Sequence, residues 1–326
     1  MSQYSSPNQP VNDESQPDEK VIVVVGSLNT DFVVTLNSFP QAGETVLGET
    51  FEQFAGGKGL NQAVASSRLG ARVTMIGAVG ADPFADALLS TLATEDITSH
   101  VDRVADSSTG MALIEVAASG ENKIIVISGA NSVLSEESVE ASLREIARDH
   151  QIGLVLTQGE VPVAATHRAL MVARELGAIT ILNPAPVRNF PVSLFPFVDY
   201  LIPNEHEAKE LVELEGNTFS SMLDFVELAT AIVDLGVGTV VITRGEKGAV
   251  WSTATASGQA AAFRIVPVDS VAAGDAFCAG LAVALNEGQP LNEALRWASA
   301  AGAIAATKAG AVTSLPQRSE VEELLT

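Results

Sequence analysis

Short apolar runs alternate with helix-length segments along most of this chain. Val21–Val25 is a continuous β-branched run that ends at Gly26, a pattern typical of a strand buried on both faces. Further runs of this kind lie at Val73–Ile76, Leu154–Leu156, Ile179–Leu182, Tyr200–Ile202 and Thr239–Ile242. The helical segments between them are Asn61–Leu69, Phe84–Thr94, Glu136–Arg148, Ala164–Leu176, Glu205–Leu214 and Asp224–Leu235. This alternation favours right-handed βαβ units, and it predicts a three-layer α/β fold in which helices flank a mainly parallel sheet.

Two pairs of segments interrupt this alternation, because no helix separates their members. The pairs are Phe32–Leu36 with Thr45–Phe54, and Gly110–Val116 with Lys123–Ile127. They predict a small antiparallel sheet outside the main one, built from lid segments at about 32–54 and 110–127. Such a sheet could cover a pocket and exclude water from it, although an ordinary edge hairpin would have the same composition.

The segment 1–20 is polar and rich in Ser, Gln and Pro, which predicts a disordered tail before an α/β domain at 21–326. It lacks the basic start and the apolar stretch of a signal peptide, and no apolar run is long and uniform enough to span a bilayer. Cys278 is the only cysteine, so the fold needs no intrachain disulfide and no oxidising compartment. We therefore expect a cytoplasmic protein.

The formal net charge of −22 restricts the partners that the chain can bind. A nucleic-acid binder needs a basic surface to displace counterions from phosphates, and anionic lipid headgroups also repel an acidic chain. We therefore expect neither nucleic acid nor a membrane as partner. A small phosphorylated ligand is compatible with this charge, since backbone N–H groups and one or two cations can hold it locally.

The segment Asp269–Asp275 combines small residues with a carboxylate. Ala272, Ala273 and Gly274 stand just before a helical run, so free backbone N–H groups at the helix N-terminus would form an anion hole. Asp275 at its edge has two interpretations of equal weight on spacing alone. It is either an ordinary N-cap, or a general base close to a hydroxyl and to the phosphoryl group that the hydroxyl attacks.

A second glycine-rich segment, Gly56–Asn61, also leads into a helix. Its glycines allow the backbone to approach a ligand, and Lys58 and Asn61 supply donors for hydroxyl groups. The sequence contains neither a Walker A motif nor a Gly-x-Gly-x-x-Gly after a strand. A glycine-rich turn on its own is weak evidence for any particular ligand.

Taken together and in this order, Gly56–Asn61 and Asp269–Asp275 resemble the two signature motifs of the ribokinase family, also called the PfkB carbohydrate kinases. Five other segments resemble the family at corresponding places: Gly26–Asp31, Phe39–Thr45, Gly129–Asn131, Asn183–Pro186 and Pro203–Glu207. The resemblance extends over 21–318. It implies an ATP-dependent kinase that phosphorylates D-ribose at its 5-hydroxyl, giving D-ribose 5-phosphate and ADP, and a homodimer paired through the lid sheet.

The same resemblance implies roles for residues at the acceptor sugar. The hydroxyl groups of ribose would be held by Asn29, Asp31, Gly57, Lys58, Asn61 and Glu160. A mixture of acceptors and donors suits a pentose, and such groups are costly when the wrong sugar leaves them unpaired. Asp275 would take the proton from the primary hydroxyl, while Ala273 and Gly274 form the anion hole for the transferring phosphoryl group.

On the nucleotide side the resemblance implies contacts of ATP with Asn204 and with Thr243, Arg244, Gly245, Glu246, Lys247 and Gly248, in addition to Ala273, Gly274 and Asp275. Glu207 would hold Mg²⁺, partly through water, which suits an ion that keeps several of its waters. Without the resemblance, Glu207 would be a solvated charge at a helix start, and Thr243–Gly248 a plain turn between strands. An activating K⁺ would be bound mostly by backbone carbonyls, at Asp269, Val271, Ala305, Lys308, Gly310 and Ser314.

Two positions depart from the family pattern. Ser299 stands where a family member has a His beside the adenine, and Cys278 replaces an Asn on the catalytic helix, so the contacts to the base differ. Alternative functions are the same chemistry on 2-deoxyribose, fructose or a nucleoside, and a non-catalytic sugar sensor. Asp31 argues against a deoxy sugar because its natural partner includes a 2-hydroxyl. Asp275 and the anion hole argue against a sensor, which would be expected to lose one or the other.

Overall fold

A computed structural model of the protein describes residues 20–188, 190–214 and 224–326, so all but the last residue of the predicted tail at 1–20 lies outside the described residues. The strands are β1 Val21–Val25, β2 Asn29–Leu36, β3 Gly48–Gly56, β4 Val73–Gly80, β5 Thr98–Val104, β6 Gly110–Ala117, β7 Asn122–Ile127, β8 Ile152–Gln158, β9 Ile179–Asn183, β10 Tyr200–Leu201, β11 Thr239–Thr243, β12 Ala249–Thr253 and β13 Ser257–Ala260. The helices are α1 Lys58–Arg68, α2 Pro83–Thr94, α3 Glu136–Asp149, α4 Val163–Glu175, α5 Glu205–Leu214, α6 Phe225–Val233, α7 Ala273–Asn286, α8 Leu291–Ala306 and α9 Arg318–Leu325.

Nine strands form the main sheet, in the order β13-β12-β11-β10-β9-β8-β1-β4-β5. All neighbours from β11 to β5 are parallel, and only β12 and β13 are antiparallel. From β1 the chain crosses to β4 on one side, and it later returns to β8 on the other side. The strand order therefore reverses beside β1, and in parallel sheets a crevice opens at the carboxyl ends of the strands at such a point.

Helices cover both faces of the main sheet, as the alternation in the sequence predicted. The two faces of β1 belong to different clusters: Ile22 and Val24 pack with α1, α7 and α8, whereas Val21 and Val23 pack with α3 and α4. A run of five buried β-branched residues is what a strand covered on both faces requires. The three-layer α/β prediction is confirmed.

The second sheet contains four strands in the order β3-β2-β6-β7. β2 pairs antiparallel with β3, and β6 pairs antiparallel with β7, as the two interruptions of the sequence predicted. The central pair, β2 and β6, is parallel over its whole length from Asn29 opposite Gly110 to Leu36 opposite Ala117. The sheet is therefore mixed and not purely antiparallel, because β2 and β6 both leave the main sheet from the same edge.

Three strands, β5, β12 and β13, were not predicted from the sequence. β5 has the burial pattern of an exposed edge strand, with no continuous apolar run, and β13 consists of the segment Ser-Gly-Gln-Ala. β12 follows β11 after a short turn and extends the main sheet at its antiparallel end. Among the described residues, no helix combines the length and the apolar character needed to cross a membrane.

Candidate active site

The predicted site residues converge at the carboxyl ends of the parallel strands. Ser27 and Glu160 lie two residues after the ends of β1 and β8, Thr243 is the last residue of β11, and the N-termini of α1 and α7 point into the same region. The elements meet closely at this edge. A Cβ at Gly26 would overlap Gln158 Oε1, and a Cβ at Gly59 would come within 2.5 Å of the Ser27 nitrogen.

The N-terminus of α7 has the features expected of an anion hole. The first intrahelical bond joins the Ala276 N–H to the Ala272 oxygen at 2.8 Å, so the N–H groups of Ala273, Gly274 and Asp275 precede it. The Ala273 N–H also makes a long turn contact of 3.3 Å to the Ser270 oxygen. A side chain at Gly274 would meet no heavy atom within 4 Å, so the space in front of this N-terminus is open.

Ala272 caps α7 in a left-handed conformation, with φ of 58° and ψ of 2°. This backbone region is unfavourable for a residue with a Cβ, and residues that adopt it are often found at functional sites. The cap position carries no side-chain hydrogen bond. The N-cap interpretation of Asp275 is therefore wrong, since Asp275 lies three positions inside the helix.

The Asp275 carboxylate is 5% exposed and is held by two amides of α1. Asn61 Nδ2 donates to Asp275 Oδ2 and Gln62 Nε2 donates to Asp275 Oδ1, each at 2.9 Å. Each carboxylate oxygen thus accepts one side-chain hydrogen bond and keeps a further lone pair that can accept a proton. The arrangement suits a general base.

Lys58 begins α1 immediately after Gly57, whose φ of 91° is readily accessible only to glycine. The Lys58 N–H donates to Glu160 Oε2 at 3.1 Å, and Ser27 Oγ donates to the same oxygen at 2.6 Å. Burial would lower the pKa of the Lys58 ammonium. The nearby carboxylates of Asp275, Glu160 and Glu207 act in the opposite direction, and the net effect is a raised pKa. Lys58 is therefore a positive charge among carboxylates.

Asn29 and Asp31 lie at the start of β2, on the small sheet. Asn29 Oδ1 accepts a bond from Asn131 Nδ2 at 2.8 Å, and Asn131 also bonds both backbone groups of Leu28. The Asp31 side chain occupies the space that a Cβ at Gly56 would need. Burial, together with the charges of Glu160 and Asp275, raises the pKa of Asp31 to about 7. The expected sugar residues thus surround one polar space.

On the nucleotide side, Asn204 and Thr243 are neighbours in a short parallel bridge, and the Thr243 N–H donates to the Pro203 oxygen at 2.9 Å. Arg244 Nε donates to Glu205 Oε1 at 2.9 Å, and its guanidinium lies 4.6 Å from the centre of the Phe225 ring. These contacts direct Arg244 toward α5 and α6. Glu246 and Lys247 are exposed in the turn Gly245–Lys247, and Gly248 enters β12 with φ of 80°.

Glu207 and Asn204 cap α5 reciprocally. The Asn204 side chain accepts the Glu207 N–H at 2.9 Å, while Glu207 Oε2 accepts the Asn204 N–H at 2.8 Å. Burial raises the pKa of Glu207, although this hydrogen bond and the charge of Lys58 lower it in part. In the described part of the chain no three His, Cys, Asp or Glu residues form a metal cluster. A single carboxylate fits Mg²⁺ that phosphates and water mainly hold.

Two of the residues expected at the monovalent cation contact Asp269. Its carboxylate accepts the Val271 N–H at 3.0 Å and the Gly310 N–H at 3.1 Å, which brings these three positions together. The Ala305 oxygen accepts the Lys308 N–H at 3.1 Å, and the Lys308 ammonium binds Glu320. Ser314 is buried, with its hydroxyl on the Ala311 oxygen. Carbonyl and carboxylate oxygens are the ligands that hard cations prefer, so the donor set fits.

Sequence reasoning missed several polar residues of the site. Ser27 binds Glu160, Gln62 binds Asp275, and Gln158 binds Gln62. Ser27 lies inside the segment Gly26–Asp31 and Gln62 directly follows Gly56–Asn61, whereas Gln158 lies outside every recognised segment, and a polar residue next to a glycine was its only signal in the sequence. Of the two departures, Cys278 is buried, and burial raises the pKa of its thiol well above the usual value. Ser299 Oγ is buried without a hydrogen-bond partner among the described residues.

Comparison with known proteins agrees with this geometry. Residues 19–318 match the pfkB family of carbohydrate kinases. The chain is 40% identical over 307 residues to the ribokinase of Haemophilus influenzae, covering 94% of this chain and 98% of that protein. It is 33% identical over 306 residues to the deoxyribokinase of Salmonella typhi, covering 93% and 98%. Its fold resembles the structure of Arabidopsis thaliana ribokinase complexed with ribose and ATP, with a TM-score of 0.83, 30% identity, and coverage of 94% and 98%.

Proposed function

Because this chain belongs to the pfkB family of carbohydrate kinases, we propose that it transfers the γ-phosphoryl group of ATP to the 5-hydroxyl of D-ribose. The products are D-ribose 5-phosphate and ADP. The observation that carries this proposal is the position of the Asp275 carboxylate. It is buried and doubly hydrogen-bonded to amides, and it lies at the open N-terminus of α7 beside the acceptor residues of β2.

In the proposed reaction, Asp275 accepts the proton of the 5-hydroxyl as that oxygen attacks the γ-phosphorus. A new O–P bond forms, the bond between the γ-phosphorus and the β–γ bridging oxygen breaks, and ADP leaves with the electron pair. Free N–H groups at the start of α7 stabilise charge on the transferring group, and the Lys58 ammonium adds a fixed positive charge nearby. Base and anion hole belong to one helix turn, which fixes their separation.

Recognition of ribose is assigned to Asn29, Asp31, Lys58, Asn61 and Glu160, with Gly57 giving the backbone its close approach. Asn131 holds Asn29, and Ser27 holds Glu160, so the acceptor groups are oriented before the sugar arrives. A sugar that lacks a hydroxyl group leaves one of these buried groups without a partner, at a cost in binding free energy. This penalty is the basis on which we expect ribose to be preferred over 2-deoxyribose.

Asn204 and the segment Thr243–Gly248 are proposed to bind ATP. Glu207 would hold Mg²⁺ partly through water, and the oxygens around Asp269 would hold K⁺. When bound, these cations would neutralise charge on the phosphates and beside the anion hole. The side chains of Asn204 and Glu207 hold the start of α5 rigid, and this keeps the carboxylate beside the nucleotide.

We further propose a homodimer paired through the small sheet, and a cytoplasmic location, where ATP is supplied. The dimer is supported by the apolar residues exposed on and beside the sheet: Phe51, Leu113, Ile124, Ile125, Val126 and Ile127 in its strands, and Leu47 directly before β3. Exposed apolar surface of this extent on a soluble protein is typical of an interaction site. The occupant proposed here is a second copy of the chain.

The test is ATP turnover by the purified protein with Mg²⁺ and K⁺, measured on D-ribose, 2-deoxyribose, fructose and adenosine. We expect kcat/KM for ribose to exceed that for each of the others by at least about 10-fold, because a missing hydroxyl leaves a buried hydrogen-bonding group of the protein without a partner. If 2-deoxyribose is the preferred acceptor, this chain has the specificity of its Salmonella relative, the deoxyribokinase, instead. An absence of turnover on all four acceptors would refute the kinase assignment.

A further inference from the structure

A chain of buried amides connects the proposed base to the main sheet. Gln62 of α1 donates from Nε2 to Asp275 Oδ1 at 2.9 Å, and its Oε1 accepts a bond from Gln158 Nε2 at 2.6 Å. Gln62 Nε2 also donates to Asn183 Oδ1 at 3.3 Å, and Asn183 Nδ2 donates to the Ile202 oxygen at 2.8 Å. Gln158 and Asn183 are the last residues of β8 and β9.

This chain permits only one orientation of the Gln62 amide. Both hydrogens of Nε2 are directed to acceptors, the Asp275 carboxylate and the Asn183 oxygen, while Oε1 faces a donor. A flipped amide would set its oxygen against two other oxygens and its nitrogen against the nitrogen of Gln158. The amide of Gln158 is fixed in turn because Gln62 Oε1 requires a donor, so the Gln158 nitrogen faces Gln62 and its oxygen lies against Gly26.

Solvent cannot take over these contacts. Gln62 and Gln158 have no exposed surface, and Asp275 and Asn183 are almost fully buried. The Gln62 amide has a partner for its nitrogen hydrogens and for its oxygen, so it is fixed in one arrangement, whereas Gln158 Oε1 has no hydrogen-bond partner among the described residues. Of the two side chains that hold the Asp275 carboxylate, Asn61 belongs to the proposed sugar contacts, whereas Gln62 lies outside the proposed sugar and nucleotide contacts.

We propose that Gln62 is a positioning residue for Asp275. Together with Gln158, it fixes the rotation of the carboxylate about its Cβ–Cγ bond, so that a lone pair points to the acceptor hydroxyl. The inference rests on the proposed function, since the carboxylate needs this orientation only if it accepts a proton. Gln62 touches neither ribose nor ATP in this assignment, so it is expected to act on kcat and not on KM.

The test compares four variants with the wild type: Gln62→Met, Gln158→Met, the double variant, and Ser66→Ala as control. Methionine keeps the length of the side chain and removes the amide. Ser66 lies one turn along α1 from Gln62, is equally buried, and donates to the Gln62 backbone oxygen at 2.7 Å, so its variant loses a nearby hydrogen bond outside the amide chain. Steady-state kinetics and the melting temperature are measured for each protein.

For Gln62→Met we expect kcat to fall by about 10- to 100-fold while KM for ribose and ATP changes less than about 3-fold. Gln158→Met should lower kcat by a smaller factor, since the Gln62 amide survives but loses its orientation. The double variant should match Gln62→Met, because Gln158 acts only through Gln62. Ser66→Ala should have a lower melting temperature than the wild type and an unchanged kcat.

Three results would overturn the inference. The first is a Gln62→Met protein with wild-type kcat. The second is a loss of kcat in Ser66→Ala equal to that in Gln62→Met. The third is a double variant whose fold-loss of kcat equals the product of the fold-losses in Gln62→Met and Gln158→Met. If Gln62→Met does not fold, Gln158→Met and the control decide the question by the same comparison. The wild-type protein in the same assay distinguishes a failure of this inference from a failure of the proposed function. If the wild type phosphorylates no acceptor, the proposed function itself is refuted.

Discussion

Asp31 is the residue at which the electrostatics of the site are most unusual. It is 9% exposed, and burial with the charges of Glu160 and Asp275 raises its pKa from 3.8 to about 7. Near neutral pH the carboxyl group is therefore divided between its protonated and ionised forms. The protonated form can donate to a sugar oxygen and the ionised form can only accept, so Asp31 can pair with a hydroxyl group either as donor or as acceptor.

The stability of the protein should depend on pH through Asp31. A carboxyl with a raised folded-state pKa contributes stability that is fully present below 3.8 and is lost as the pH rises through about 7. The substitution Asp31→Asn removes the ionisable group, so the variant does not lose this stability as the pH rises. The gain in unfolding free energy relative to the wild type should be larger at pH 8 than at pH 5 by on the order of 2 kcal/mol, since one pKa unit is worth about 1.4 kcal/mol.

Urea unfolding at pH 5, 6, 7 and 8 would measure this difference. Asp106→Asn, at an exposed position, is the matched control and should change stability by the same small amount at every pH. A constant difference between Asp31→Asn and the wild type over the whole range would contradict the electrostatic account. The variant should also bind ribose more weakly, because it loses an acceptor.

Asp275→Asn tests the proposed base directly. We expect kcat to fall by about 10²- to 10⁴-fold, the usual contribution of a general base, while ribose and ATP still bind with nearly unchanged affinity. Isothermal titration of both ligands, beside the turnover assay, would separate chemistry from binding. Turnover close to that of the wild type would remove Asp275 from the role of base.

At the scale of elements, β2 and β6 bring the small sheet onto the site through very close contacts. Gly110 begins β6 opposite Asn29 of β2, and a Cβ there would overlap both Asn29 Oδ1 and Asn131 Nδ2. The parallel pairing of the two strands therefore depends on a residue without a side chain at its first position. The same pairing holds Asn29 in place, in the position that we propose for a sugar contact.

Gly110→Ala should consequently displace Asn29 and weaken ribose binding. We expect KM for ribose to rise by about 10-fold, equivalent to one lost hydrogen bond, with little change in KM for ATP. Gly48→Ala is the control on the same sheet, since its Cβ would meet only a Val34 methyl at 3.1 Å and a backbone oxygen at 3.6 Å. Equal KM values in both variants would show that the close contact at Gly110 is relieved without moving Asn29.

The buried parallel strands and their helices could be predicted from the sequence because each carries a local pattern. Glu136–Arg148 is an example, since its apolar spacing alone gives a helix that the structure extends by one residue. β5 and β13 carry no such pattern, and they are strands because a neighbour offers them hydrogen-bond partners. The parallel pairing of β2 with β6 was unpredictable for the same reason, as it joins segments about 80 residues apart.

The site shows the same division between local and non-local information. Asp275 and Lys58 stand in recognisable motifs, so their proposed roles could be stated in advance and remain predictions. Exclusion of Asp275 as an N-cap required the backbone of Ala272, which no local pattern encodes, and its role as a base stays a prediction. Gln62 became visible only when α1 packed against α7 and brought its amide to Asp275.

The whole molecule joins a large acidic body to a small sheet whose apolar residues face outward. Phe51 is 65% exposed and Ile125 is 62% exposed, and Ile124–Ile127 is exposed along the whole of its length. Consecutive exposed residues in a strand point to opposite faces, so neither face of β7 is covered. An isolated monomer would carry this surface at a cost in solubility.

We expect the protein to sediment as a dimer at micromolar concentration, and Ile125→Asp to convert it to a monomer. Burying a charge without a partner in such an interface is strongly unfavourable. Val192→Asp introduces the same charge at another exposed apolar position, between β9 and β10, and should leave the dimer intact. Analytical ultracentrifugation of the three proteins would decide, and a monomeric wild type would refute the pairing through the small sheet.

Asn29 and Asp31 belong to a strand of the small sheet, whereas Asp275 and the proposed nucleotide residues belong to the elements of the main sheet, and this division has an evolutionary consequence. Mutations in β2 and β6 can alter which acceptor fits without touching the groups that move the phosphoryl. A lineage can therefore acquire a new substrate while it retains the inherited reaction, and an engineer can search the two strands for new acceptors under selection for a single chemistry.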